Sequence, residues 1–233
     1  MKVVFVGSSL FGSNIATSGL EVRPPAKHGD IFAAIRDGAI AIGLVDGAFG
    51  EVAAIRHKEI LFALDQGVAV FGASSMGALR AAECEPFGMR PVGAIAAAYC
   101  DGSLDDAAAL ALTMGPAELG SIPCTEPLVD AEATLARMRS LGLIDAALHS
   151  ALRERARSLH FSVRTDAMLF ERVGDGRQLL EQYGRHQVSR TQIVAAALVR
   201  ELQAFQPATR RAEDRFVLAD SPYWRDELEF ARR

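Results

Sequence analysis

Apolar positions along the chain fall into two kinds of pattern. Three short, uninterrupted runs, Lys2 to Val6, Ala39 to Val45 and Val68 to Phe71, each end at glycine or a small residue. Continuous apolar runs of that length fit strands of a parallel sheet buried on both faces. Between the second and third, Glu51 to Gln66 opens polar with Arg56-His57-Lys58-Glu59 and turns apolar from Ile60 to Leu64. Gly67 supplies its stop, so the stretch reads as a helix. Strand, helix and strand in one short segment make a βαβ unit with a right-handed crossover.

Past the third strand, Gly72-Ala73-Ser74-Ser75-Met76-Gly77 turns the chain into a helix-forming run, Ala78 to Glu83, which Pro86 ends. A small-residue helix follows from Val92 to Cys100, leaving through Asp101-Gly102. The second half reads as all helix. Pro127 opens a helix running to about Ser140, Asp145 caps one through Arg157, and Ser189-x-x-Gln192 is a capping-box pattern before Ile193 to Leu198. That last helix stops before Pro207, and the Arg-rich tail from Ala208, with Pro222-Tyr223-Trp224 inside it, reads as a surface arm. The expected fold class is α/β: a small, mostly parallel sheet flanked by helices, with a helical C-terminal half. The expected division is an α/β core over residues 1–125 and a helical region with a charged tail over 126–233.

Composition narrows the function classes. Half of the 233 residues are apolar and 23% are charged, which excludes disorder, collagen, coiled coil and a disulfide-stapled mini-protein. A net charge of −4 leaves no basic surface for a nucleic-acid backbone. Cys84, Cys100 and Cys124 share no CxxC spacing and read as reduced thiols of a cytoplasmic protein. The longest apolar runs fall short of the roughly 20 residues a spanning helix needs, and Met1 to Gly7 is broken too early for a signal peptide. Of 25 basic residues only Lys2, Lys27 and Lys58 are lysines, so Lys58 stands out as an amine.

In an open parallel sheet, ligands collect at the carboxyl ends of the strands. The loops leaving that edge carry Gly7-Ser8-Ser9, Asp46-Gly47 and Ser74-Ser75. The helix of a βαβ unit runs antiparallel to its strands, so His57 and Lys58 in its first turn are expected on the same edge, near Ser75. A serine at a strand-to-helix turn is backed by free N–H groups, here those of Met76 and Gly77, that can hold an oxyanion. A hydroxyl becomes a nucleophile when a base takes its proton, and a partly desolvated lysine can serve. The same residues also have plain structural readings. Ser74-Ser75 can be an N-cap, Lys58 a solvated charge, His57 a surface histidine, Asp46 turn chemistry, and Arg80 with Glu83 a helix-surface ion pair. Gly7 to Gly12 has a Walker-like spacing, but Ser13-Asn14 stands in place of Lys-Ser/Thr. The five histidines lack metal-ligand spacing, so no metal is expected.

Three blocks carry a resemblance: Gly43-Leu44-Val45-Asp46-Gly47; His57 to Leu64; and Phe71-Gly72-Ala73-Ser74-Ser75-Met76-Gly77-Ala78-Leu79-Arg80-Ala81-Ala82-Glu83. With Gly115-Pro116-Ala117-Glu118 and Glu126 to Leu135, they resemble the core of the TfuA family over roughly residues 39–140. Where the family often shows a histidine and carboxylates before Gly-Pro-Ala-Glu, this chain has Ala107 to Thr113 and Met114. The resemblance implies an accessory hydrolase of peptide backbone thioamidation, a post-translational modification. Such a protein hydrolyses a thiocarboxylated, ThiS-like, ubiquitin-fold sulfur carrier, releases sulfide for a YcaO enzyme and assists YcaO–peptide engagement. It implies Ser75 and Lys58 as a catalytic pair; Ser8, Ser9, Asp46, His57, Ser74, Met76 and Arg80 are expected as binding residues around them. The alternative is a non-catalytic adaptor docking YcaO and the carrier, with the Arg-rich helical half and the Trp224 tail as partner surface. No cofactor, nucleic acid or membrane is expected, and homo-oligomer formation is compatible with the sequence.

Overall fold

The computed structural model describes residues 1–48, 50, 52–171, 173–207, 216 and 218. The tail read as a surface arm, with Trp224, lies outside the described residues apart from positions 216 and 218. Five strands form one all-parallel sheet: β1 (Lys2–Phe5), β2 (Glu21–Arg23), β3 (Ala41–Leu44), β4 (Ala69–Gly72) and β5 (Arg90–Pro91). Their order is β2-β1-β3-β4-β5. The order therefore reverses between β1 and β3, which makes the gap between those two strand ends the place where a doubly wound sheet opens a crevice.

Alternation along the strands feeds two cores. Val3 and Phe5 of β1, Ile42 and Leu44 of β3 and Val70 of β4 face one side, where they meet α1 (Asp30–Arg36) and α2 (His57–Asp65) through Ile31, Ala34, Ile60 and Ala63. Val4, Ala41 and Phe71 face the other side. They share that core with residues of α4 (Gly93–Cys100), α5 (Leu128–Ser140), α6 (Ala146–Ser158), α7 (Asp166–Phe170), α8 (Gly176–Arg185) and α9 (Arg190–Ala204), of which α9 packs against β1, β3 and β4. α9 lies directly on the sheet because Gly43 has no side chain: a methyl there would come within 2.6 Å of Leu198 Cδ2 and 3.0 Å of Leu202 Cδ2. α3 (Met76–Cys84) sits against β4 and α4.

The caps read from sequence do their work. Asp145 accepts the Leu148 N–H at 2.8 Å and starts α6, and Ser189 accepts the Gln192 N–H at 3.2 Å and starts α9, while the Gln192 side chain donates to Phe11 O at 3.2 Å and leaves the expected capping box half made. Pro127 stands at the N-cap of α5. Four features depart from the expected elements, the first being α1, where no helix was expected. β2 and β5 are short edge strands: Val22 is exposed, and Arg90–Pro91 ends in a residue that cannot donate to a ladder. Neither has the continuous apolar run that marks a strand buried on both faces. The helix expected from Glu51 starts only at His57. There the buried Glu59 carboxylate reaches back to the Arg56 N–H at 3.1 Å and across to the Gly29 N–H at 2.9 Å, fixing the entry. Among the described residues no helix is long and apolar enough to cross a membrane.

Candidate functional site

Asp46 follows β3 and is fully buried at the point where the strand order reverses. Its Oδ2 accepts the N–H groups of Gly7 (2.8 Å) and Ser9 (2.9 Å), and its Oδ1 accepts the Ser9 hydroxyl at 2.6 Å. Ser9 Oγ is in turn 2.8 Å from Ser74 Oγ. One carboxylate thus ties the ends of β1, β3 and β4 together. Burial pushes the Asp46 carboxyl up from the ordinary carboxylate range, and the Ser9 hydroxyl and two N–H donors pull against that rise. Ser8, the neighbour, is buried with a hydroxyl that has no partner among the described residues.

Ser74 and Ser75 make the bend from β4 into α3. Ser74 is fully buried and holds φ at 67°, the left-handed region that a non-glycine residue enters only at a cost. Ser75 is the N-cap of α3, at φ −80° and ψ −120°, yet its side chain makes no capping hydrogen bond. An ordinary N-cap serine sits in the β region and accepts a first-turn N–H. Among the described residues no hydrogen bond holds the Ser75 hydroxyl. The capping reading therefore fails for Ser75.

Of the two donors expected behind it, Gly77 N–H is already given to Val45 O at 3.1 Å and is not available for an oxyanion. Met76 N–H remains at the helix start, while the Met76 side chain packs over Gly47. Gly77 itself is pressed onto β3, because α3 begins immediately above Leu44.

Lys58 is the second residue of α2 and is half-buried. α2 meets α3 through its preceding residue: His57 Nε2 is 2.7 Å from Glu83 Oε2, and Arg80 Nη1 donates to the same carboxylate oxygen. Arg80 and Glu83 thus form the expected helix-surface pair, extended by His57, while the Arg80 Nε is buried without a partner among the described residues. Glu83 follows Ser75 by eight residues, about 12 Å of helix at 1.5 Å per residue. The two helices are tied at that level, and Lys58 and Ser75 are not hydrogen-bonded to each other.

Sequence reasoning missed three participants. Glu59 anchors the first turn of α2, also taking His28 Nδ1 at 2.8 Å, and its neighbour Lys58 had drawn the attention. Gly7 is needed for close packing: a methyl there would come within 2.6 Å of Pro25 Cγ and 2.8 Å of Ser121 Cβ. Ser121, just past the Gly115-Pro116-Ala117-Glu118 segment, is buried with φ 54°. Ser74 and Ser121 are the two non-glycine residues with positive φ among those described, and both lie at this edge of the sheet. Ser74 beside Ala73 and Ser121 between Gly120 and Ile122 give no sequence signal for that conformation.

A cavity of about 520 Å³ opens beside Ser8 and Ser9 and reaches Cys124, Glu126, Asp130 and Thr191 at the starts of α5 and α9. Glu126 accepts the Tyr183 hydroxyl, and burial, the largest influence, raises its carboxyl to about 7. The folded state then holds a proton that the unfolded state, near 4.5, releases. That stabilisation is complete below about pH 4.5 and is lost as pH rises through about 7. The protein is expected to lose on the order of 3 kcal/mol of stability from this group between pH 5 and pH 8. Asp46 and Asp130, also raised by burial, add in the same sense. Urea unfolding at the two pH values checks this, and Glu126→Gln should flatten the difference; an unchanged difference in that variant refutes the assignment.

The class is thus an α/β protein with a doubly wound parallel sheet, whose switch-point loops carry a buried carboxylate and a serine bend. The model of the TfuA-like protein family matches residues 46–165, just over half of the chain, and the chain belongs to that family. The match begins at Asp46 and includes α2, the Ser74–Ser75 bend, α3 and Gly115 to Glu118. Comparison with curated proteins gives no match.

Proposed function

We propose that this protein is an accessory hydrolase of peptide backbone thioamidation. It would cleave the C-terminal thiocarboxylate of a ThiS-like sulfur carrier and supply sulfide to a YcaO enzyme. The reading is carried by one observation: Ser75 occupies the N-cap of α3, but its hydroxyl neither caps the helix nor meets another described partner. The substrate class is what the resemblance to the TfuA family implies, and the family match over residues 46–165 supports that kinship. In this proposal Ser75 Oγ attacks the thiocarboxylate carbon, its proton passes to the Lys58 amine as general base, and the C–S bond breaks. The proton returns to the departing sulfur as hydrosulfide, and water then cleaves the Ser75 ester to leave the carrier's carboxylate. The Met76 N–H and the N-terminal end of α3 would stabilise the developing oxyanion.

In this scheme the docked carrier completes the approach of the Lys58 amine to the Ser75 hydroxyl. Catalytic hydrogen bonds commonly tighten in the substrate complex. His57 and Arg80, joined to Glu83, would hold the two helices in register for that step. The test is to incubate the purified protein with a thiocarboxylated ThiS-like carrier and follow sulfide by a colorimetric trap and the carrier's mass by spectrometry. Conversion of thiocarboxylate to carboxylate supports the hydrolase. Binding of carrier and YcaO with no conversion replaces it by the adaptor reading.

A further inference from the structure

We infer that Asp46, Ser9 and Ser74 form a positioning device, a buried hydrogen-bond chain that fixes the bend between β4 and α3 and keeps the Ser75 hydroxyl off the helix cap. The consequence for chemistry rests on Ser75 acting as proposed above; the device itself does not. All three residues were expected to bind a ligand; in the structure they are bonded to one another.

Ser74 is fully buried, so its hydroxyl does not face a docked molecule. Its partner is Ser9 Oγ at 2.8 Å. Ser9 has one hydroxyl proton, and it is donated to Asp46 Oδ1 at 2.6 Å. Ser74 must then donate to Ser9, which gives the chain one direction: Ser74 to Ser9 to Asp46. The other carboxylate oxygen is filled by two backbone N–H groups of the β1 loop. The anchor is therefore built on three strand ends at the centre of the sheet, and it is rigid.

What it holds is the strained φ of 67° at Ser74. Strain of this kind persists only where the surroundings over-determine it. Without the anchor, Ser74 relaxes to negative φ, and Ser75 can enter the β region and cap α3 like any serine. The nucleophile would then be present but turned inward onto the Met76–Ala78 backbone. The device thus explains an N-cap serine that does not cap.

The test uses Ser74→Gly, Ser74→Ala, Ser9→Ala and the Ser9→Ala/Ser74→Ala double variant in the full chain, with thiocarboxylated ThiS-like carrier as probe. Asp46 is left untouched because an emptied anchor would threaten folding. Glycine takes positive φ freely, whereas alanine does not. The expected order of kcat is therefore wild type, then Ser74→Gly, then Ser74→Ala, with alanine lower than wild type by roughly 10- to 100-fold at unchanged KM. The double variant should be no worse than either single one, because both cut the same chain. A raised KM at unchanged kcat would make these residues ligands and overturn the inference. So would covalent labelling by a fluorophosphonate at Ser74 in place of Ser75. If the wild type releases no sulfide, the hydrolase reading fails, and the unfolding midpoints still decide the device. Non-additive losses in the double variant support it, and additive losses overturn it.

Discussion

Ser75→Ala is expected to lower sulfide release from a thiocarboxylated carrier by at least about 1,000-fold while leaving the fold intact. The fold should survive because the Ser75 side chain caps nothing and ties no element to another. The size of the loss follows from the proposed role: without the hydroxyl that scheme forms no acyl-enzyme, and only positioning and oxyanion donors remain. Lys58→Ala should fall by roughly 100- to 10,000-fold, the usual span for a general base. Lys58→Arg separates base from charge. A guanidinium keeps the positive field but does not give up its proton, so a true base is not rescued by arginine. Sulfide release from Ser75→Ala at the wild-type rate would remove the hydrolase reading. An active Lys58→Arg would leave Ser75 in place and reassign Lys58 to electrostatics.

The second large effect is structural. Gly77→Ala places a methyl 1.8 Å from Leu44 O, 2.6 Å from Leu44 C and 3.2 Å from Val45 Cα. All three are backbone atoms of the chain leaving β3, so no side-chain rotation relieves the clash. α3 must lift from the sheet, and the Gly77 N–H to Val45 O bond at 3.1 Å stretches with it. The expected cost is about 3 kcal/mol, at the upper end for overpacking. For a chain of this size that lowers the melting temperature by roughly 6–12 °C. The proposed sulfide release is expected to fall further, since the moved helix carries Ser75. Gly43→Ala is the control: its clashes are with the ends of Leu198 and Leu202, which can rotate, so it should cost less. Thermal melts of the two variants settle the point, and equal losses would contradict it.

These expectations trace to different levels of the chain. The continuous apolar runs of β1, β3 and β4 specified a parallel sheet, because strands buried on both faces must be apolar on both. The caps at Asp145 and Ser189 were local chemistry, readable from side-chain type and spacing. The edge strands β2 and β5 were not readable, because one is solvent-facing and the other is two residues long. Neighbours far along the chain create both: Val3 to Phe5 pair with Glu21 to Arg23, and Phe71 and Gly72 with Arg90 and Pro91.

The sequence by itself determined the α/β class, the edge on which Ser9, Asp46, Ser74 and Ser75 gather, and the family, through local pattern and motif. Only the tertiary structure decided what those residues do to one another. Asp46 became an anchor when folding brought Gly7 and Ser9 from 39 and 37 positions away onto its oxygens. Ser74 was bent, Ser75 left uncapped and Gly77 committed to Val45 by packing of α3 on the sheet. Burial, backbone angle and the direction of a hydrogen bond depend on distant neighbours, and no single stretch of residues encodes them.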